Sequence, residues 1–227
     1  MNKLSGRIVY EDRNFEIAQL EGGGTKESLI IFRGYQGVNI ARDGRSHSYS
    51  KWSKTLREFG YPGKIYNYRW PSELVDGIGL ELACKEAAKC FWKIVDIDKP
   101  HQISLIGFSS GGRIIQKILR KLSRTPEMSF NNVYIFGGLA RNDDCWPLLL
   151  RALSGKIYNF YSTNEELLSS WYMWLLYSHD ISGLAKIPYR NWRIENLNCS
   201  HFIKYHTDWE EYLERLLLKA GIKSNEM

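Results

Sequence analysis

The stretch HQISLIGFSSGGRIIQKIL, His101 to Leu119, decides the fold of this chain. Its first part, His101 to Gly107, is dense in Ile and Leu and predicts a short buried strand. Ile114, Ile115, Ile118, Leu119 and Leu122 then recur at helical spacing, so a helix is expected from near Gly112. The corner between them reads Gly107-Phe108-Ser109-Ser110-Gly111, a match to G-x-S-x-G. On such a strand-to-helix corner the central serine is held in strained backbone geometry with its Oγ presented outward. The residues two before and two after must be small, because strand and helix backbones pass close together. Gly107 and Gly111 meet that demand for Ser109. Counting from Ser110 instead would put Phe108 at a position that admits no side chain. Ser109 is therefore the candidate nucleophile, with the backbone N–H of Ser110 as an oxyanion donor. A phosphate-binding loop does not fit, since neither a G-K-[ST] ending nor G-x-G-x-x-G is present.

Composition narrows the class. With 227 residues and 44% hydrophobic content, one core and one domain spanning 1–227 are expected. No apolar run approaches the ~20 residues a membrane span needs; WYMWLLY, from Trp171, is far too short. The opening MNKLSGRIVYEDRNF has no apolar core of a Sec-type signal, so a cytoplasmic protein, or one exported by another route, is expected. Cys84, Cys90, Cys145 and Cys199 lack C-x-x-C spacing, which points to reduced thiols and no metal site. The net charge of +6 comes from 31 basic and 25 acidic residues. The basic residues are dispersed apart from RKLSR at Arg120, so nucleic acid is not an expected partner. A mild preference for anionic surfaces is.

Along the chain, strand-like segments alternate with helical ones. GRIVYED, NFEIAQLE and SLIIFRG open it, with EGGGTKE expected to join the second and third as a hairpin loop. A helix carrying Trp52, Leu56 and Phe59 stops at Gly60. The strand KIYNYRW follows, then a helix from Ser72 with Ala83, Ala87, Cys90, Phe91 and Ile94 as its buried stripe. After the elbow come NNVYIFGG, the short helix CWPLLLRAL, GKIYNFYS and the last strand, NWRIENLN. A final helix capped by Thr207 is expected to bury Trp209, Tyr212, Leu213, Leu216 and Leu217. This order predicts an α/β protein: a mostly parallel eight-stranded sheet with an antiparallel N-terminal start and helices on both faces. It matches the α/β-hydrolase plan, with the elbow after the fifth strand.

A nucleophilic serine needs a base, an acid and an oxyanion hole, and in this plan the order is Ser, then Asp or Glu, then His. His179, His201 and His206 follow Ser109. His201, in NLNCSHFIKYH just past the last strand, is the expected base. Glu165, the first carboxylate after the seventh strand, is the expected acid, and Asp143, with Asp144 beside it, is the alternative after the sixth. The corner IFRGYQG after the third strand places the N–H of Tyr35 as the second oxyanion donor, with Gly34 giving the backbone room.

Taken in order, YNYRWPSELVDGIG, SLIGFSSGGRII, NVYIFGGLA, GKIYNFYSTNEELL and ENLNCSHFIKY resemble a family of α/β hydrolases typified by transmembrane and coiled-coil domain-containing protein four. The likeness covers residues 28 to 213. That family carries G-H-S-L-G, N-x-Y-S-x-N-D and a late G-H-x-x-Y, which fall by position on Ser109, Glu165 and His201. Phe108, Ser110 and Glu165 stand where the family has His, Leu and Asp. The resemblance implies a minimal, soluble lipase- or esterase-like enzyme without the family's membrane-spanning extension. Lipase-like relatives that act as antibacterial toxins make that a further expected role.

Together these features predict a cofactor-free serine hydrolase of carboxylic esters, with lipid or phospholipid acyl esters first. Trp171 and Trp174 lie in an aromatic segment (168–186) that suits a pocket wall, or a lid touching a membrane surface. A thioesterase, amidase or acyltransferase with the same triad, or a non-catalytic binding protein, would share these features.

Overall fold

In the computed structural model the elbow stretch forms strand β5 (Gln102–Phe108) and helix α3 (Ser110–Leu122), joined by Ser109 alone. The structure describes residues 6–11, 16–20, 27–34, 48–69, 77–92, 102–124, 129–170 and 180–221. Around the elbow lie β1 (Gly6–Glu11), β2 (Glu16–Leu20), β3 (Glu27–Phe32), α1 (Ser48–Glu58), β4 (Lys64–Arg69) and α2 (Gly77–Cys90). After it come β6 (Val133–Phe136), α4 (Trp146–Leu149) with a 3₁₀ turn (Leu150–Ala152), and β7 (Ile157–Tyr161). The chain closes with α5 (Glu166–Ser169), β8 (Ile194–Asn198), α6 (Asp208–Glu211) and α7 (Leu213–Lys219).

The sheet has eight strands in the order β1-β2-β4-β3-β5-β6-β7-β8. β2 pairs antiparallel with both β1 and β4, and every pair from β4 to β8 is parallel. The chain therefore has an α/β-hydrolase fold. One local expectation fails: β2 and β3 do not form a hairpin, because β4 lies between them. A glycine-rich connection marks a change of direction but does not choose the partner. β3 instead lies between the two parallel strands β4 and β5, where its side chains are buried on both faces.

The period of two in the strands divides the core into two layers. Ile30, Phe32, Ile103 and Leu105 face one layer with Ala87 and Phe91, on and just after α2, and Ile114, Ile115, Ile118 and Leu119 of α3. Leu29, Ile31, Ile106 and Phe108 face the other with Trp52 and Leu56 of α1, Trp209 of α6 and Leu213, Leu216 and Leu217 of α7. Helix α1 ends as its sequence predicts. Gly60 takes φ 82°, and the N–H groups of Gly60 and Tyr61 close back on the carbonyls of Arg57 and Leu56.

The C-terminal helix departs from expectation. It breaks at Tyr212 into α6 and α7, leaving Tyr212 at the surface, and Thr207 makes no side-chain cap. The Asp208 carboxylate instead accepts the N–H groups of Lys204 and Tyr205, each at 2.8 Å, and folds the preceding turn back on the helix. The expected helix start at Ser72, with Ile94 of its stripe, lies outside the described residues.

Candidate functional site

The carboxyl ends of β3, β5, β7 and β8 meet at one end of the parallel sheet, and the chemistry-bearing residues cluster there. Ser109 has φ 57° and ψ −123°, and among the described residues it is the one non-glycine with positive φ. Holding a residue with a Cβ there costs about 1–3 kcal/mol. The neighbours enforce it: the Ser109 N–H donates to the carbonyl of Phe136 at 3.2 Å, and its carbonyl accepts from Gly112 at 3.0 Å and Leu139 at 2.9 Å.

The two elbow glycines are required for contact. A Cβ on Gly111 would lie 2.0 Å from the carbonyl oxygen of Phe32, and one on Gly107 would lie 2.9 Å from the Gly111 backbone. Ser110 occupies the first position of α3, where the N–H has no intrahelical acceptor and is available to an anion. The corner after β3 closes on the serine as well. A Cβ on Gly34 would lie 2.5 Å from Cβ and 2.8 Å from Oγ of Ser109. Tyr35, the expected second donor, lies outside the described residues.

Glu165 sits just past β7, at the N-terminus of α5, and is fully buried. Its Oε1 accepts the N–H of Leu168 at 3.3 Å and lies 3.2 Å from Nδ1 of His206. Its Oε2 is buried and has no hydrogen-bond partner among the described residues. The His206 ring stacks on Phe108, the residue before Ser109, at 4.6 Å between centroids and 25° between planes. An elbow residue, a buried carboxylate and an imidazole are thus brought together.

The histidine in that group is not the expected one. His201 is exposed, its ring set edge-on against Phe202, and it makes no contact with Glu165. The reason lies in the turn after β8. The N–H groups of Phe202 and Ile203 return to the Cys199 carbonyl, directing Phe202 against Tyr212 and the Arg215 guanidinium and leaving His201 outside. The same turn is bound to the loop of Glu165: Ser162 Oγ donates to the Ile203 carbonyl at 2.7 Å, and Glu166 N–H to the Lys204 carbonyl at 2.8 Å. The chain re-enters the site at residue 206. Asp208 was the available sequence signal, an acceptor two residues past His206 that can close a turn.

The alternative acids are engaged elsewhere. Asp143 is exposed and bound by the Arg141 guanidinium, which holds its carboxyl below the usual range. Asp144 is paired with Arg120 and accepts the Cys145 N–H at 2.7 Å. Trp171, Trp174 and His179 lie outside the described residues. Among the described residues no cluster of three or more His, Cys, Asp or Glu is placed to hold a metal, and no helix is long and apolar enough to cross a membrane.

Comparison with known proteins agrees with this architecture. A family model described as a protein of unknown function, DUF726, matches residues 98–223, which contain the elbow, Glu165 and His206. The chain belongs to the DUF726 family. It is 27% identical over 184 residues to an uncharacterized membrane protein of Caenorhabditis elegans, covering 75% of this chain and 30% of that one. It is 25% identical over 170 residues to transmembrane and coiled-coil domain-containing protein STS1 of Oryza sativa, covering 68% and 25%. It is 29% identical over 127 residues to a Saccharomyces cerevisiae protein named "Probable lipase MIL1", covering 53% and 11%. This DUF726 chain thus spans less than a third of the length of these relatives. Among solved structures, a "predicted CIB-like hydrolase" from Thermoplasma acidophilum superposes with TM-score 0.57 at 14% identity, over 96% of this chain and 99% of that one. The Pyrococcus furiosus esterase Pf2001 gives 0.50 at 14% identity, over 96% and 92%. These superpositions bear on the fold alone.

Proposed function

We propose that this DUF726 chain is a serine hydrolase of carboxylic esters. The observation that carries the proposal is the buried Glu165–His206 pair stacked against the elbow of the strained Ser109. In this scheme Oγ of Ser109 attacks the ester carbonyl carbon while Nε2 of His206 takes the hydroxyl proton. Glu165 holds Nδ1–H of the ring and compensates the imidazolium as it forms. The N–H groups of Ser110 and Tyr35 hold the tetrahedral oxyanion. His206 then protonates the leaving alcohol, and a water, deprotonated by the same imidazole, releases the acid from the acyl-serine. Every proton is handled by the protein's own groups, so the scheme uses no cofactor.

Among esters, lipid or phospholipid acyl esters are placed first. The support is the tryptophan-rich segment from Trp171 and a relative named as a lipase. The test is labelling of the purified protein with a fluorophosphonate, mapping of the adduct by mass spectrometry, and assay on ester, thioester and phospholipid substrates. An adduct on Ser109 with hydrolysis of oxoesters supports the proposal. Thioester turnover alone would move it to a thioesterase, and no adduct with no turnover would leave a binding protein.

A further inference from the structure

Among the described residues the His206 ring has one hydrogen bond, between Nδ1 and Glu165, and such a bond by itself lets a ring rock about its axis. The face of Phe108 lies against the ring, within 25° of parallel and 4.6 Å away between centroids. Phe108 is itself backed by a ring from outside the elbow: Trp52 of α1 lies 6.0 Å from it. Trp52 is buried and packs edge-on against Phe136 at 5.3 Å, and its Nε1–H donates to Oε1 of Glu210 at 3.0 Å. The same oxygen of Glu210 is held by the guanidinium of Arg33. Arg33 directly precedes Gly34, the residue whose Cα abuts the Ser109 side chain. Glu210 lies four residues beyond His206, on the helix that follows it.

These contacts close a ring around the nucleophile and the base. The path runs from Gly34 and Arg33 to Glu210, through Trp52 to Phe108, and along the backbone to Ser109. We propose that Phe108, Trp52, Glu210 and Arg33 form a positioning array that sets the plane of the His206 imidazole relative to Ser109 Oγ. All four are positioning residues: each acts through His206 or through the corner at Gly34. The proposal rests on the assignment of His206 as base. It adds that α1, which carries none of the proposed triad, contributes to turnover through Trp52. Aromatic rings suit the task, because a flat face restrains a neighbouring ring without engaging its nitrogens.

The test uses the whole chain and a short soluble ester, p-nitrophenyl butyrate, with active sites counted by fluorophosphonate titration. Phe108→Leu removes the flat face while keeping apolar volume, and Phe108→Tyr keeps the face. Trp52→Phe removes the donor to Glu210, and Glu210→Gln removes its charge. Misplacing a catalytic group slightly is enough to cost about 10–100-fold, so that loss is expected in kcat per titrated site for Phe108→Leu, with KM within about two-fold. Phe108→Tyr should stay within about three-fold of the parent, and Trp52→Phe and Glu210→Gln should each lose about 3–10-fold. The Trp52→Phe/Glu210→Gln double variant should be no worse than the weaker single, because both cut one link.

Parental kcat per titrated site in Phe108→Leu overturns the array, as does a loss confined to the number of titratable sites. Should Phe108→Leu fail to fold, parental kcat in both Trp52→Phe and Glu210→Gln overturns it. Ser109→Ala and His206→Ala, measured in parallel, keep the two ideas apart. Full turnover in either refutes the triad, whereas loss in both beside parental Phe108→Leu refutes the array alone.

Discussion

Nδ1 of His206 lies 3.2 Å from Oε1 of Glu165, although the two residues are 41 positions apart. Their elements are joined backbone to backbone and side chain to backbone. Besides the bonds from Ser162 and Glu166, Cys199 N–H donates to the Tyr161 carbonyl at 2.8 Å, and Asn164 Nδ2 to the Ser200 carbonyl at 2.8 Å. Carboxylate and imidazole are therefore held by two stitched loops at the ends of β7 and β8.

The proposed base follows from that pairing. His206→Ala should lower turnover of a soluble ester by about 10³-fold or more, as loss of the base does in comparable triads. His201→Ala should stay within about three-fold, because an exposed residue whose ring rests only against Phe202 contributes little. Steady-state kinetics on both variants decides. A severe loss at His201 with little at His206 would mean the turn after β8 adopts another path in solution.

For the acid, Glu165→Gln should reduce kcat by about 10²–10⁴-fold, since a neutral amide cannot stabilise an imidazolium. Circular dichroism should show the fold intact. Asp143→Asn should be near parental, because it severs a surface pair with Arg141 of small energetic worth.

Ser109→Ala should abolish fluorophosphonate labelling and ester hydrolysis together. Ser110→Ala should retain substantial turnover, because the proposed donor is its backbone N–H and the substitution leaves that in place. Mapping the adduct by mass spectrometry checks the register of the elbow directly.

Gly34→Ala tests the close approach of the β3 corner. Its new Cβ would fall 2.5 Å from Ser109 Cβ. The contact is with the side chain of the proposed nucleophile, so turnover should fall about 100-fold. Thermal unfolding followed by circular dichroism should show only a modest drop. Unchanged kinetics would indicate that the corner moves away freely.

Replacing Trp171 and Trp174 with polar residues should depress hydrolysis of phospholipid vesicles far more than that of a short nitrophenyl ester. Aggregated lipid requires an apolar contact that a soluble ester does not. Parental activity on both substrates, with circular dichroism unchanged, would remove the main support for a lipid substrate. Equal losses with lost structure would mark the two tryptophans as core.

What was legible in the sequence is what depends on short range. The elbow at Ser109 needs small residues at two fixed offsets, a strand before it and a helix after it, and all of these lie within His101–Leu122. Buried parallel strands write themselves as apolar runs, so the eight strands and the position of Glu165 after the seventh were readable as well. Strand partnership was not. β2 lies beside β4 and not β3, a pairing between segments distant in sequence that no local pattern encodes. The histidine was not readable either. His201 and His206 share one short loop, and the spacing from β8 favours the nearer one. Only the folded chain, through Ser162 bound to Ile203 and Asp208 closing the turn on Lys204 and Tyr205, turns His201 to solvent and His206 onto Glu165. Side-chain direction in a loop is set by hydrogen bonds to distant residues, and a local pattern carries no record of them.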